Sequence, residues 1–160
     1  MSVIIKRMET DDEVRGKAYV AWRSWQDTYP GMVSQAYLDR STLETCEQKA
    51  FELRDGFFVA KDGDRVVGFV GYGTWRDDPE HVGEVYALYV LKEYHGLGVG
   101  RRLMDAALEE LRAYPQVCLW VLKANSRAIR FYEKCGFRAT GEEHYIERLE
   151  AWGIRMLLER

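Results

Sequence analysis

Apolar residues recur along the chain with two different periods, and the switches between them mark out the elements. Val3-Ile4-Ile5-Lys6-Arg7-Met8 predicts a first strand. Thr10, with Glu13 three residues on, has the form of a capping box, and Val14, Ala18, Ala21, Trp22 and Trp25 follow at helical spacing. Asp27-Thr28-Tyr29-Pro30-Gly31 then reads as a Pro-Gly turn. Ser34 to Arg54 predicts a second helical stretch, broken near Asp39–Ser41. Two strands, Gly56–Lys61 and Arg65–Tyr72, flank Asp62-Gly63 as a hairpin. Trp75–Pro79 turns the chain into a strand from about Val82 to Val90, whose Val, Tyr and Leu residues suit a half-buried pleated surface. Gly100, Leu103, Met104, Ala107, Leu108 and Leu111 make one buried stripe of a long helix, with a stop expected at Tyr114-Pro115. Val117–Leu122 is continuously apolar, as a buried strand would be. Asn125 or Ser126 caps a short helix over 126–134, Gly136 ends it, and Phe137–Ile146 and Ile154–Leu158 close the order as strands.

Between the strand ending at Val90 and the long helix lie three alternate glycines, Gly96, Gly98 and Gly100. Glycine lets the backbone approach a ligand closely, and the first N–H groups of a helix lack intrahelical partners. With the positive end of the helix dipole they form a phosphate site. A tight turn that needs glycine only for its backbone angles is the plainer reading of such a loop. Two phosphate motifs fail on spacing. A dinucleotide fingerprint counted from Gly96 would need glycine where Arg101 stands, and a P-loop would need Lys-Ser/Thr after Gly100, where Arg101-Arg102 follows.

Composition narrows the classes. With 160 residues, 47% hydrophobic and 31% charged, one domain over 1–160 with a single core is expected, not a disordered or membrane chain. No apolar run approaches a membrane span and the amino-terminal residues from Met1 are too short for a signal peptide, so a cytoplasmic protein is expected. Cys46, Cys118 and Cys135 have no metal-ligand spacing and are read as reduced thiols, with no metal site. A net charge of −3 argues against nucleic acid and weakly favours a cationic substrate. No membrane partner is expected, and a homodimer is left open.

His95-Gly96-Leu97-Gly98-Val99-Gly100 resembles the Gln/Arg-x-x-Gly-x-Gly/Ala loop of the GCN5-related N-acetyltransferases (GNAT), with His95 in place of the usual Gln or Arg. About 25 residues on, Asn125-Ser126-Arg127-Ala128-Ile129-Arg130-Phe131-Tyr132-Glu133-Lys134-Cys135-Gly136-Phe137 is similar to a second block of that family. The resemblance implies an α/β, single-domain acyl-CoA N-acyltransferase fold, a mixed twisted sheet with helices on both faces. It implies acetyl-CoA as cosubstrate, held by the backbone of Leu88, Tyr89 and Val90, by the loop from His95 to Gly100, and by Arg101 and Asn125.

It further implies acetyl transfer to a primary amine, of a small polyamine-like molecule or of a protein N-terminus or lysine. Such a reaction needs a neutral amine and a stabilised leaving thiolate. Tyr132 is the candidate acid, since a phenol with a pKa of about 10 keeps its proton at neutral pH. Glu84 is the candidate base, directly or through water, with a solvated glutamate as the equal alternative. Glu142 and Glu143 are weaker candidates for the same part. Trp25, Tyr29 and Tyr86 are candidates for the acceptor pocket, although a core stripe explains the tryptophans Trp22 and Trp25 as well. The alternative from another class is a non-catalytic acyl-CoA-binding regulatory module.

Overall fold

In the computed structural model, which describes residues 2–160, seven strands form one sheet in the order β1-β2-β3-β4-β5-β7-β6. The strands are β1 (Val3–Arg7), β2 (Phe57–Asp62), β3 (Arg65–Thr74), β4 (Val82–Val90), β5 (Gln116–Leu122), β6 (Arg138–Ile146) and β7 (Ala151–Glu159). The helices are α1 (Asp11–Thr28), α2 (Gln35–Arg40), α3 (Leu43–Glu52), α4 (Val99–Glu110) and α5 (Ser126–Lys134). Every neighbouring pair is antiparallel except β4 and β5, which run parallel.

That parallel pair is short. Only Val82, Gly83 and Glu84 of β4 are in register with Gln116, Val117 and Cys118 of β5. Beyond Glu84 the two strands part, and the reason lies in β4 itself. Val85 pairs with Tyr72 and Ala87 with Gly71, so Tyr86 is an extra residue, a bulge that bends the strand. The sheet therefore opens into a wedge.

The two faces are covered differently. Gly68 and Val90 face α4, where Leu103 packs within contact distance of Gly68. Their strand neighbours Phe69 and Tyr89 face the other way, toward α1, whose Gly16 sits directly on Val66. Val14, Val67, Phe69, Leu103, Met104, Leu119, Phe137 and Met156 are among the fully buried residues of this core. A second, smaller cluster of Tyr29, Val33, Leu38, Leu122, Leu149 and Ala151 joins the end of α1 and α2 to the far end of β5.

Local sequence explains most element ends. Thr10 accepts the Glu13 N–H at 3.1 Å while the Glu13 carboxylate accepts the Thr10 N–H at 3.1 Å, the reciprocal box expected. Asn125, not Ser126, caps α5, its side chain accepting the Ala128 N–H at 3.2 Å. Several boundaries differ from expectation. α1 runs on to Thr28, and the broken stretch after Ser34 is two helices, each with its own cap, at Ser34 and Thr42. The hairpin turn is Gly63-Asp64, because Asp62 still pairs with Arg65 and it is Gly63 that takes a φ of 62°. α4 ends at Glu110, before the Tyr114-Pro115 stop, and β7 starts at Ala151, ahead of the expected Ile154. Among the described residues no helix is long and apolar enough to cross a membrane, and no cluster of His, Cys, Asp and Glu has the geometry of a metal site.

Candidate functional site

The wedge between β4 and β5 is the floor of a cleft of about 550 Å³. It is lined by Val85 to Val90 from one strand and Trp120 to Leu122 from the other. At one end lies the start of α4. Gly98 takes a φ of 80°, and Gly96 one of 77°, a region that side chains with a Cβ rarely adopt. The first bond inside the helix runs from the Arg102 N–H to the Gly98 carbonyl at 3.1 Å, so the amides of Val99, Gly100 and Arg101 have no helical acceptor. Gly100 faces the Phe131 ring of α5, and a Cβ there would make an ordinary contact at 3.4 Å.

The charges around the cleft are one-sided. Arg101, Arg127 and Arg148 line it, along with the His95 ring, and among the described residues no aspartate or glutamate does. Arg101 is shared, for its Nε donates to Asp105 at 3.1 Å and a terminal nitrogen to the Lys134 carbonyl. Arg102 instead turns to the Val3 carbonyl and serves packing. His95 has a defined task in place of the usual Gln or Arg: its Nε2 lies 2.7 Å from the Val90 carbonyl, so the ring ties the glycine loop back to the end of β4. That contact also occupies the Val90 carbonyl, leaving the Leu88 backbone and the Val90 N–H open to the wedge, since Tyr89 pairs with Phe69 of β3. Leu97 differs from the other loop residues, being exposed and outside the cleft.

Toward the middle, Tyr132 of α5 lines the cleft with its ring against Phe131 and Phe137. Burial pushes its phenol pKa up, with Tyr89 and Cys135 adding to the rise. The hydroxyl is therefore firmly protonated at neutral pH. It also means that full proton transfer to a thiolate, whose thiol has a pKa near 8.5, runs uphill, so Tyr132 is better suited to donating a hydrogen bond.

The α1 side of the cleft carries a buried aromatic wall. Tyr29 and Tyr89 bring their hydroxyls to 3.0 Å, and Trp25 packs edge-on against Tyr29 with ring centroids 4.6 Å apart. Burial raises both phenols, so this pair is a neutral hydrogen bond that fixes the end of α1 to β4. Trp25 and Tyr29 thus reach the cleft as expected, whereas Trp22 packs on Tyr19 and Arg23 and lies outside it. Tyr86 touches the cleft, but its hydroxyl donates to the Thr74 carbonyl at 2.8 Å.

Glu84 is not in the cleft wall; it lies one turn of the pleat below, half-buried, before the strands part. Burial raises its pKa, against the opposing charges of Arg155 and Arg76, with Asp77 adding to the rise. Among the weaker candidates, Glu143 is paired with Lys123 at 3.0 Å and Glu142 with Arg155 at 3.7 Å, both exposed. Sequence reading missed the Tyr89 side chain, Trp120, Arg127, Arg148 and Arg155. Arg127 lay inside the Asn125–Phe137 block and was legible there; the rest are brought together only by the sheet order.

A family model described as acetyltransferase (GNAT) family matches residues 19–137. The chain belongs to the GNAT acetyltransferase family. An uncharacterized N-acetyltransferase of Bacillus subtilis is 30% identical over 151 residues, covering 91% of this chain and 84% of the relative. A mycothiol acetyltransferase of Geodermatophilus obscurus is 42% identical over 91 residues, 51% of this chain. The match spans only 28% of that relative's length. The crystal structure of a PaiA N-acetyltransferase from Thermoplasma acidophilum in complex with coenzyme A superposes with a TM-score of 0.77. That superposition covers 100% of both chains at 20% identity, which speaks for the fold. The mixed sheet with α1 and α4 on opposite faces is the GNAT fold, as the glycine loop and the Asn125–Phe137 block implied.

Proposed function

We propose that the protein transfers the acetyl group of acetyl-CoA to a primary amine by direct attack in a ternary complex. The observation that carries this reading is the cleft itself, which runs along the β4–β5 wedge from the open amides at the start of α4 to the Tyr132 hydroxyl. The PaiA N-acetyltransferase neighbour of the same fold is complexed with coenzyme A, which supports the same use of this cleft.

The residues present fit that molecule. The amides of Val99, Gly100 and Arg101 at the positive end of α4 would take the pyrophosphate, with Arg101 supplying charge beside them and Arg127 and Arg148 elsewhere along the cleft. The Leu88 backbone and the Val90 N–H would pair with the pantetheine amides, and Asn125 borders the same arm while its side chain caps α5. The bound thioester supplies the activated acetyl group. In the transfer, the amine nitrogen bonds to the acetyl carbon as the carbon–sulfur bond breaks. Tyr132 donates a hydrogen bond to the departing sulfur, and Glu84 takes the amine proton through water, since it stands back from the cleft wall. The Trp25–Tyr29–Tyr89 wall and Tyr86 shape the space for the acceptor.

Release of free CoA thiol from acetyl-CoA, measured across polyamines, amino acids, aminoglycosides and short peptides, tests the reading. Turnover with at least one amine class is expected. Tight acetyl-CoA binding with no thiol release for any amine would favour the non-catalytic binding module.

A further inference from the structure

Beside the cleft, the sheet face that carries Trp120 collects a group of side chains with an open requirement. Glu84 pairs in register with Cys118, and Trp120 with Arg155, so β4, β5 and β7 present Glu84, Cys118 and Arg155 side by side. The bulge turns Tyr86 to the same side, where it lies over Gly73, the β3 partner of Glu84. Tyr86 and Trp120 line the cleft as well, so this patch adjoins the place where an amine would meet the acetyl group.

Arg155 is the unusual member. Its side chain is 12% exposed, and its guanidinium carbon sits 3.9 Å from the centre of the Trp75 ring, a stacked and restrained position. Its only charged contact among the described residues is the loose one to Glu142 at 3.7 Å. Its Nε is buried with no oxygen or nitrogen partner, and the neutral Cys118 thiol lies beside the guanidinium. Buried donors are ordinarily paired, and a guanidinium offers a planar fork suited to carboxylate or carbonyl oxygens. Arg155 and Glu84 face the same patch with opposite charge and are not paired with each other.

We propose that the acceptor is an α-aminoacyl compound, its amine directed toward Glu84 and its acyl oxygen toward the Arg155 guanidinium. This rests on the acetyl-transfer reading above. An α-aminoacyl group carries a proton donor and an oxygen acceptor on adjacent carbons, the complement of a carboxylate beside a guanidinium whose one ion pair is loose. A polyamine or a lysine side chain brings only ammonium groups, which Arg155 and Arg76 would repel. The acyl oxygen belongs to a free amino acid or to an aminoacyl amide or peptide N-terminus, and the test separates the two.

Thiol release at saturating acetyl-CoA is compared for L-alaninamide, L-alanine, isopropylamine, which has the same skeleton without the acyl oxygen, and putrescine. Because amine basicity differs among these, the deciding quantity is the alaninamide-to-isopropylamine ratio of kcat/KM in wild type against Arg155→Met. The ratio is expected to fall at least tenfold in the variant, mainly through KM for the aminoacyl compound, with Arg155→Lys intermediate. Alanine following alaninamide would point to free amino acids, and alaninamide alone to amides and peptide N-termini. An unchanged ratio in a variant whose melting temperature still rises with acetyl-CoA, or putrescine as the preferred acceptor, overturns the inference and leaves acetyl transfer standing. No rise in melting temperature with acetyl-CoA in the wild type removes both.

Discussion

In the proposed transfer Tyr132 and Glu84 would divide the proton chemistry, and their surroundings make that division testable. Burial keeps the Tyr132 phenol protonated, so its contribution arises only as the carbon–sulfur bond breaks. Tyr132→Phe removes the hydroxyl and keeps the ring between Phe131 and Phe137. Turnover at saturating acetyl-CoA is expected to fall at least about tenfold, with melting temperature and CoA affinity little changed, as steady-state kinetics and thermal unfolding would report. A loss confined to acetyl-CoA affinity would make Tyr132 a cofactor contact instead. Glu84 works as a base only when ionised, and its pKa is raised by burial, with Arg155 and Arg76 opposing and Asp77 assisting. Activity dependent on it is therefore lost as pH falls through that raised value. Glu84→Gln is expected to cost most near neutral pH, with the deficit shrinking as pH rises and free amine becomes abundant. A pH–rate profile with the same deficit at every pH would assign Glu84 to positioning. Tyr132 was read from the Asn125–Phe137 block and Glu84 from its place on the strand before Leu88, but neither reading gave a distance from the cleft. Tyr132 lines it, whereas Glu84 stands back, because the strands part only beyond Glu84.

At the level of elements, α1 is held by an ionic cap. Glu13 is buried at the start of the helix, where Lys6 donates to it at 2.7 Å and Lys61 at 3.2 Å, with the Glu9 and Thr10 amides completing the set. Burial alone would raise its pKa, but these donors outweigh that and hold it at about 2, below the ordinary 4.5. A depressed carboxylate stabilises the fold fully above its unfolded pKa, so this contribution is present above about pH 4.5 and disappears as pH falls toward 2. Glu13→Gln keeps the box but removes the buried charge that Lys6 and Lys61 face, and is expected to lower the melting temperature at pH 7 by more than about 3 °C. The gap between variant and wild type should close in melts run stepwise down to about pH 2.5. A gap independent of pH would mean that packing, not charge, holds the helix start. The Thr10–Glu13 spacing announced this box in the sequence, since capping is local. Lys6 and Lys61, on β1 and β2, could join it only once the sheet had placed them beside α1.

The whole molecule is tuned by one loop at the head of the wedge. A ligand that binds only the folded chain stabilises it by about 2.7 kcal/mol at a hundredfold excess over its Kd. Acetyl-CoA should therefore raise the melting temperature by roughly 5–10 °C for a chain of this size, and ATP or NAD by much less. Gly98→Val places a β-branched residue at a φ of 80°, which costs about 1–2 kcal/mol, and obstructs the amides of α4. A folded Gly98→Val protein is expected to lose most of the acetyl-CoA shift, read by scanning fluorimetry alongside circular dichroism. A full shift in that variant would make the loop a turn and no more.

The element order, the capping box, the glycine loop and the Asn125–Phe137 block were all readable from the sequence, because each rests on contacts within a few residues or on one period of burial. Tertiary structure alone decided the wedge. The extra residue Tyr86 is an offset between β3 and β4, and no pattern within either strand records it. The same holds for the Tyr29–Tyr89 hydroxyl pair and for Arg148 joining Arg101 around one cleft. It holds most of all for Arg155, which reads in sequence as one charged residue in an apolar strand. Its place beside Trp75 and on the face of Glu84 follows from β7 lying next to β5, a non-local pairing that only the folded sheet creates.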